Sequence, residues 1–134
     1  MSSFSFILRA KIGEKMKIMY DSLTKNVARF VKKLGLAATQ ITSEMVVEEG
    51  FVLVTFTTGL GQIPDTTQVF LRANGKYLRG VASSGNRNFG TYYALAADEV
   101  AKFYDVPIIS KFELSGTPTD VAAFLKGLSE IEAY

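Results

Sequence analysis

Residues Phe51-Val52-Leu53-Val54-Thr55-Phe56 form a continuous apolar, β-branched run with no polar alternation. A short run of that kind is buried on both faces, the condition of a strand inside a parallel sheet covered by helices. It ends in Thr57-Thr58-Gly59-Leu60-Gly61-Gln62, and Pro64 then suits the first turn of a helix. The spacing predicts Val69, Phe70 and Ala73 as the inward face of that helix, with Asn74-Gly75 as its stop. Strand, glycine-bearing loop and helix follow one another here.

The same order returns along the chain. Lys17-Ile18-Met19-Tyr20 reads as a strand that leads through Asp21-Ser22-Leu23-Thr24-Lys25-Asn26 into a helix marked by Val27, Phe30, Val31 and Leu34. Gly35 stops that helix, and Lys32 and Lys33 favour its negative end. Residues 38–42 are expected as a second short strand and residues 43–50 as a polar connection. Residues 78–83 form the fourth strand and enter the loop Ser84-Gly85-Asn86-Arg87-Asn88-Phe89-Gly90. Tyr92, Leu95, Ala96, Val100 and Phe103 mark a third helix, and residues 106–113 a fifth strand. Thr117 then caps a last helix, with Pro118 in its first position, Asp120 in its first turn and Val121, Phe124, Leu125 and Leu128 inward. Alternation of this kind predicts an α/β fold: a doubly wound, five-stranded parallel sheet in the order 2-1-3-4-5, with helices on both faces, the flavodoxin-like arrangement.

Composition narrows what such a fold can do. The 134 residues suit one domain, expected over residues 16–134, with residues 1–15 a non-core N-terminal extension. The apolar residues Phe4, Phe6, Ile7 and Leu8 make too short a run for a signal peptide, and a cytoplasmic location is expected. No run approaches the ~20 apolar residues of a membrane span, and a net charge of +2 gives no case for nucleic acid. Neither a membrane nor a nucleic-acid partner is expected. Without a single Cys or His, the chain has no thiolate nucleophile, no imidazole base and none of the usual Cys or His metal ligands. It has no catalytic residues of its own to nominate and no metal site, so a bound cofactor must carry any chemistry.

In the order 2-1-3-4-5 the loops after strands 1, 3 and 4 meet over one crevice beside the switch point. Ser22, Thr24 and Asn26 put short polar side chains at the mouth of the first helix, where free amides and the dipole favour an anion. The same residues also suit simple N-capping by Ser22 or Thr24. Thr57, Thr58, Gly59, Leu60, Gly61 and Gln62 resemble a dinucleotide fingerprint, but Pro64 stands where its third glycine belongs. The third loop has P-loop glycine spacing without the Lys. What remains is one phosphate cradle (Ser22, Leu23, Thr24, Lys25, Asn26, Val27) and two loops able to close on a flat ring. The first of these runs from Thr57 to Gln62, and the second holds Ser84, Gly85, Asn86, Asn88, Phe89 and Gly90. FMN is the flat-ringed mononucleotide that fits this description and supplies the missing chemistry. Arg87 and Lys25 are expected as positive charges on its rim.

The residues that carry a closer likeness are Tyr20-Asp21-Ser22-Leu23-Thr24, Thr58-Gly59-Leu60-Gly61-Gln62-Ile63-Pro64, Leu78-Arg79-Gly80-Val81, the loop of residues 84–90, and Lys111-Phe112-Glu113-Leu114-Ser115-Gly116-Thr117. Together they resemble the NrdI family of small flavodoxin-like FMN proteins, from Met16 to about Leu128. The resemblance implies a redox accessory flavoprotein of class Ib ribonucleotide reductase systems rather than a stand-alone enzyme. Once reduced by a flavin reductase, it would react with O2 and supply superoxide or a related peroxide. That oxidant would help assemble the dimanganese–tyrosyl radical cofactor of the small reductase subunit. Lys25 departs from the pattern, since flavodoxin-type loops usually carry glycine there. The alternative is a plain flavodoxin-type electron carrier, although such carriers tend to be acidic and this chain has a pI near 8.8. A third reading is a flavin-free docking module that keeps only the fold.

Overall fold

In the computed structural model, which describes residues 16–59 and 61–133, the apolar run is strand β3 (Phe51–Phe56). Its side chains from Phe51 to Thr55 are all buried. It pairs in parallel with β1 (Lys17–Tyr20) on one side and β4 (Leu78–Gly85) on the other. β2 (Thr39–Gln40) and β5 (Ile108–Glu113) complete a five-stranded sheet in the order β2-β1-β3-β4-β5. The register sets Tyr20 beside Val54, and Phe56 beside Ser84. Strands β1, β3 and β4 therefore end at one edge of the sheet.

Helices α1 (Asn26–Leu34) and α4 (Pro118–Glu132) cover one face. Val27, Phe30, Val31 and Leu34 meet Phe124 and Leu128 over Ile18, Val52, Val54 and Phe112. The Phe30 and Phe112 rings stack at 3.8 Å, and Phe124 meets Phe30 edge-on at 5.7 Å. Helices α2 (Asp65–Asn74) and α3 (Leu95–Tyr104) cover the other face, where Phe70, Leu71, Ala97 and Val100 lie over Met19, Leu53 and Val81. Fold class and strand order are those expected from the sequence.

Three local expectations change. The second strand shrinks to two residues and the fifth starts at Ile108, whereas β4 runs two residues longer, to Gly85. Helix α2 faces inward with Thr67, Phe70, Leu71 and Asn74, leaving Val69 39% exposed and Ala73 exposed. The polar pair is buried because it is bonded: Asn74 accepts the Val47 amide at 2.7 Å and donates to the Met45 and Phe70 carbonyls. In the third helix Phe103 is 80% exposed and Ala97 takes an inward place, while Tyr92 ends the preceding 3-10 turn (Arg87–Tyr92). The expected extension over residues 1–15 lies outside the described residues. Among the described residues no helix is long and apolar enough to cross a membrane.

Candidate functional site

Helix α1 starts without a side-chain cap of its own. Lys25 holds the N-cap position at φ 70°, ψ −4°, with no cap bond from its side chain. Ser22 Oγ reaches over the turn and accepts the Ala28 amide at 3.2 Å, while Asn26 Nδ2 donates to Thr24 Oγ1 at 3.4 Å. Ser22 thus serves the third amide of the helix, and among the described residues no side chain or loop carbonyl takes those of Asn26 and Val27 in the first turn. No acidic side chain sits in that turn, and exposed Lys25 adds a cation beside it. The capping expected of Ser22 is present, and it does not use the first two amides of the helix, on which the expected anion role depends.

The second loop closes on itself. Thr58 and Gln62 exchange backbone hydrogen bonds of 2.9 and 2.8 Å, with Gly59 at φ 49° and Gly61 at φ 90° inside the turn. A Cβ on Gly61 would lie 2.6 Å from Leu95 Cδ2, so this loop packs directly on the start of α3. The third loop does the same from the other side, because a Cβ on Gly85 would lie 2.5 Å from the Ala94 nitrogen. Beyond it, Asn86 Oδ1 accepts the Asn88 amide at 2.9 Å and starts the 3-10 turn. Gly90, at φ 59°, has open space around it and serves only the backbone.

Between the three loops lies a cleft of about 430 Å³. Of the expected residues it is lined by Leu23, Thr24, Asn26, Thr57, Thr58, Gly59, Ser84, Gly85 and Asn86. Phe56, Tyr92 and Leu114 also line it and were not singled out. Leu23, Tyr92 and Leu114 are 76%, 41% and 51% exposed and give the cleft an apolar rim. Gathered at one cleft mouth they make an apolar patch of the kind that marks ligand and partner sites, whereas a single exposed Leu or Tyr carries no such signal in the sequence. Lys25, Gly61, Asn88 and Gly90 stand outside the lining, and Val27 is 1% exposed, so only its amide is available. Leu60 and the side chain of Phe89 lie outside the described residues.

Arg87 does not stand free on the rim. Its backbone amide donates to Glu113 Oε2 at 3.0 Å, its Nε lies 3.8 Å from Glu113 Oε1, and its guanidinium covers the Tyr93 ring at 4.6 Å. The expected positive charge is thereby offset, and Arg87 ties the third loop to β5. Burial raises the Tyr93 phenol pKa, with Arg87 acting in the opposite direction.

A larger cleft, about 700 Å³, opens on the β2 side of the 58–62 loop and is lined by Asp21, Ser22, Gln40, Gln62 and Asp65 among others. Its anion position at the α2 start is already filled. Asp21, 7% exposed, accepts Thr67 Oγ1 at 2.7 Å, and burial raises its pKa although bonds from Thr67 and Ser22 lower it. The smaller cleft, where the glycines converge, is therefore the candidate site. Among the described residues no group of acidic side chains could hold a metal ion.

A family model described as NrdI flavodoxin-like matches residues 18–126. Protein NrdI of Bacillus licheniformis is 44% identical over 117 residues, 87% of this chain and 89% of that protein. Among solved structures, a short-chain flavodoxin associated with a non-canonical PDU bacterial microcompartment superposes with TM-score 0.66 at 17% identity, over 86% of this chain and 96% of that one. Oxidised Flavodoxin 2 from Bacillus cereus gives TM-score 0.59 at 16% identity, over 88% and 99%. At such identities the two flavodoxins speak for the fold alone.

Proposed function

This chain belongs to the NrdI flavodoxin-like family, and from that premise we propose that it is the FMN-bearing accessory protein of a class Ib ribonucleotide reductase, working in the cytoplasm. NrdI and flavodoxin-like proteins bind FMN, and the family is associated with ribonucleotide reductase. One observation supports the placement of the flavin: the start of α1, whose first two amides Ser22 does not cap, and two glycine-bearing walls open into the same cleft. The cleft volume of about 430 Å³ is in the range of small-cofactor sites.

In this reading residues 22–27 hold the phosphate, through the amides of Asn26 and Val27 and the Lys25 ammonium. Thr57, Thr58 and Gly59, with Ser84, Gly85 and Asn86, flank the ring. Gly59 and Gly85 let backbone approach it, and Leu23, Tyr92 and Leu114 keep water from its edges. When bound, the flavin supplies the redox chemistry, passing electrons from a flavin reductase to O2 and yielding superoxide or a related peroxide for the dimanganese–tyrosyl radical cofactor of the small reductase subunit. The chain's own task is to bind, orient and partly cover; with no Cys or His it offers no competing redox or proton-transfer side chain of those types.

The test mixes reduced protein, Mn(II)-loaded small subunit from the same source, and O2, and follows the tyrosyl radical by paramagnetic resonance. Radical is expected only when all three are present. A protein with reducible FMN that gives no radical, yet reduces a cytochrome-type acceptor efficiently, is an electron carrier instead.

A further inference from the structure

Helix α3 also lacks a cap of its own, and the way it is capped couples the two walls of the cleft. Its N-cap residue is Ala94, fully buried and at φ 50°, a left-handed backbone that an alanine keeps only where its surroundings enforce it. Two hydroxyls from neighbouring strand ends do so. Ser83 Oγ, on β4, donates to the Ala94 carbonyl at 2.8 Å and accepts the Ala97 amide at 3.3 Å. Thr57 Oγ1, just after β3, accepts the Ala96 amide at 3.3 Å. The cap that α3 does not carry in its own N-cap residue is shared between β4 and, through Thr57, the loop on the opposite side of the cleft.

Both walls rest on the segment so held. Gly61 lies against Leu95 and Tyr92, and Gly85 against the backbone of Ala94, each too close to admit a Cβ. Where residues 94–96 stand therefore sets how far apart the two loops stand. We infer that Thr57 is a positioning residue, its hydroxyl fixing the spacing of the flavin walls by capping α3. The inference rests on the FMN reading for its consequence, but the cap itself does not.

The test compares Thr57→Val, which keeps the side-chain shape and loses the acceptor, with Thr57→Ala and with Thr57→Ser, which keeps a hydroxyl. Amide hydrogen exchange at residues 95–97 is read in the full chain with and without FMN, together with the FMN dissociation constant and the visible circular dichroism of bound flavin. Losing one partly buried hydrogen bond corresponds to roughly tenfold. Thr57→Val and Thr57→Ala are expected to speed exchange at Ala96 and weaken FMN by about that factor, with an altered flavin dichroism. Thr57→Ser should restore all three. Exchange unchanged at Ala96, or faster exchange with wild-type flavin affinity and dichroism, overturns the positioning role. If the wild-type chain takes up no FMN, the flavin reading fails separately and exchange at Ala96 alone decides whether Thr57 caps α3.

Discussion

Lys25 holds a left-handed conformation that costs a residue with a Cβ about 1–2 kcal/mol. The strain sits at the mouth of α1, where its ammonium is exposed beside the free amides. If that charge meets the flavin phosphate, FMN binding weakens as salt rises. Lys25→Gly should raise the melting temperature by relieving the strain, and Lys25→Glu should bind FMN about tenfold more weakly than Lys25→Gly at low salt. Titration of FMN fluorescence measures this; equal affinities for the two variants remove the charge from the argument. Asp21 offers a second residue-scale prediction. The Thr67 hydroxyl donates its hydrogen bond to Asp21, so Thr55 donates to Thr67 at 2.8 Å, a buried chain ending on the Asp21 carboxyl. Burial raises the Asp21 pKa above its ordinary 3.8, so the folded protein keeps that proton to higher pH than the unfolded chain. The stability it contributes is complete below the ordinary value and is lost as pH rises through the raised one. Asp21→Asn, which retains an acceptor for Thr67, should therefore melt higher than wild type near pH 7, with the gain shrinking towards about pH 4. A gain independent of pH contradicts this.

At the scale of elements, two glycines of one loop separate close approach from backbone need. A side chain at Gly85 collides with the α3 backbone, whereas one at Gly90 meets nothing and faces only a positive φ of 59°. Gly85→Val should cost roughly 1–3 kcal/mol and lose FMN affinity, while Gly90→Ala should cost about 1 kcal/mol of stability and leave affinity near wild type. Chemical denaturation with flavin titration distinguishes them, and equal loss of affinity would place the ring elsewhere. The start of α4 shows an element legible in advance. Thr117 Oγ1 accepts the Asp120 amide at 3.2 Å and Asp120 Oδ2 accepts the Thr117 amide at 2.8 Å, the reciprocal cap that the Thr-Pro-Thr-Asp order announces. The inward face of α2 is not legible in this way, because Thr67 and Asn74 are inward polar residues whose partners lie on distant segments.

For the whole molecule, the Met16 amide, one residue ahead of β1, donates to buried Glu132 at the end of α4 at 3.0 Å. A chain started at Met16 would place an ammonium against that carboxylate. We expect it to melt within a few degrees of the longer chain and to bind FMN as tightly, since no described loop of the cleft lies earlier. Thermal melts and flavin titration of both lengths check this, and a large drop on shortening would make residues 1–15 part of the structure.

Alternation of buried runs with amphipathic segments settled the fold class from sequence alone. A strand apolar on both sides, as in residues 51–56, has no stable place outside a covered parallel sheet, and strand order 2-1-3-4-5 then gathers the Ser/Thr loop and the two glycine-bearing loops at one edge. The same local rules yielded the α4 cap, while the resemblance to flavodoxin-type loops marked Lys25 as standing where glycine is usual. Only the tertiary structure decided which helix start is free and which is capped, that Glu113 holds Arg87, and that Phe56, Tyr92 and Leu114 complete the cleft. Each of these depends on contacts between residues tens of positions apart. Periodicity reports how a residue faces its own element; it cannot report which distant hydroxyl or carboxylate will be waiting there.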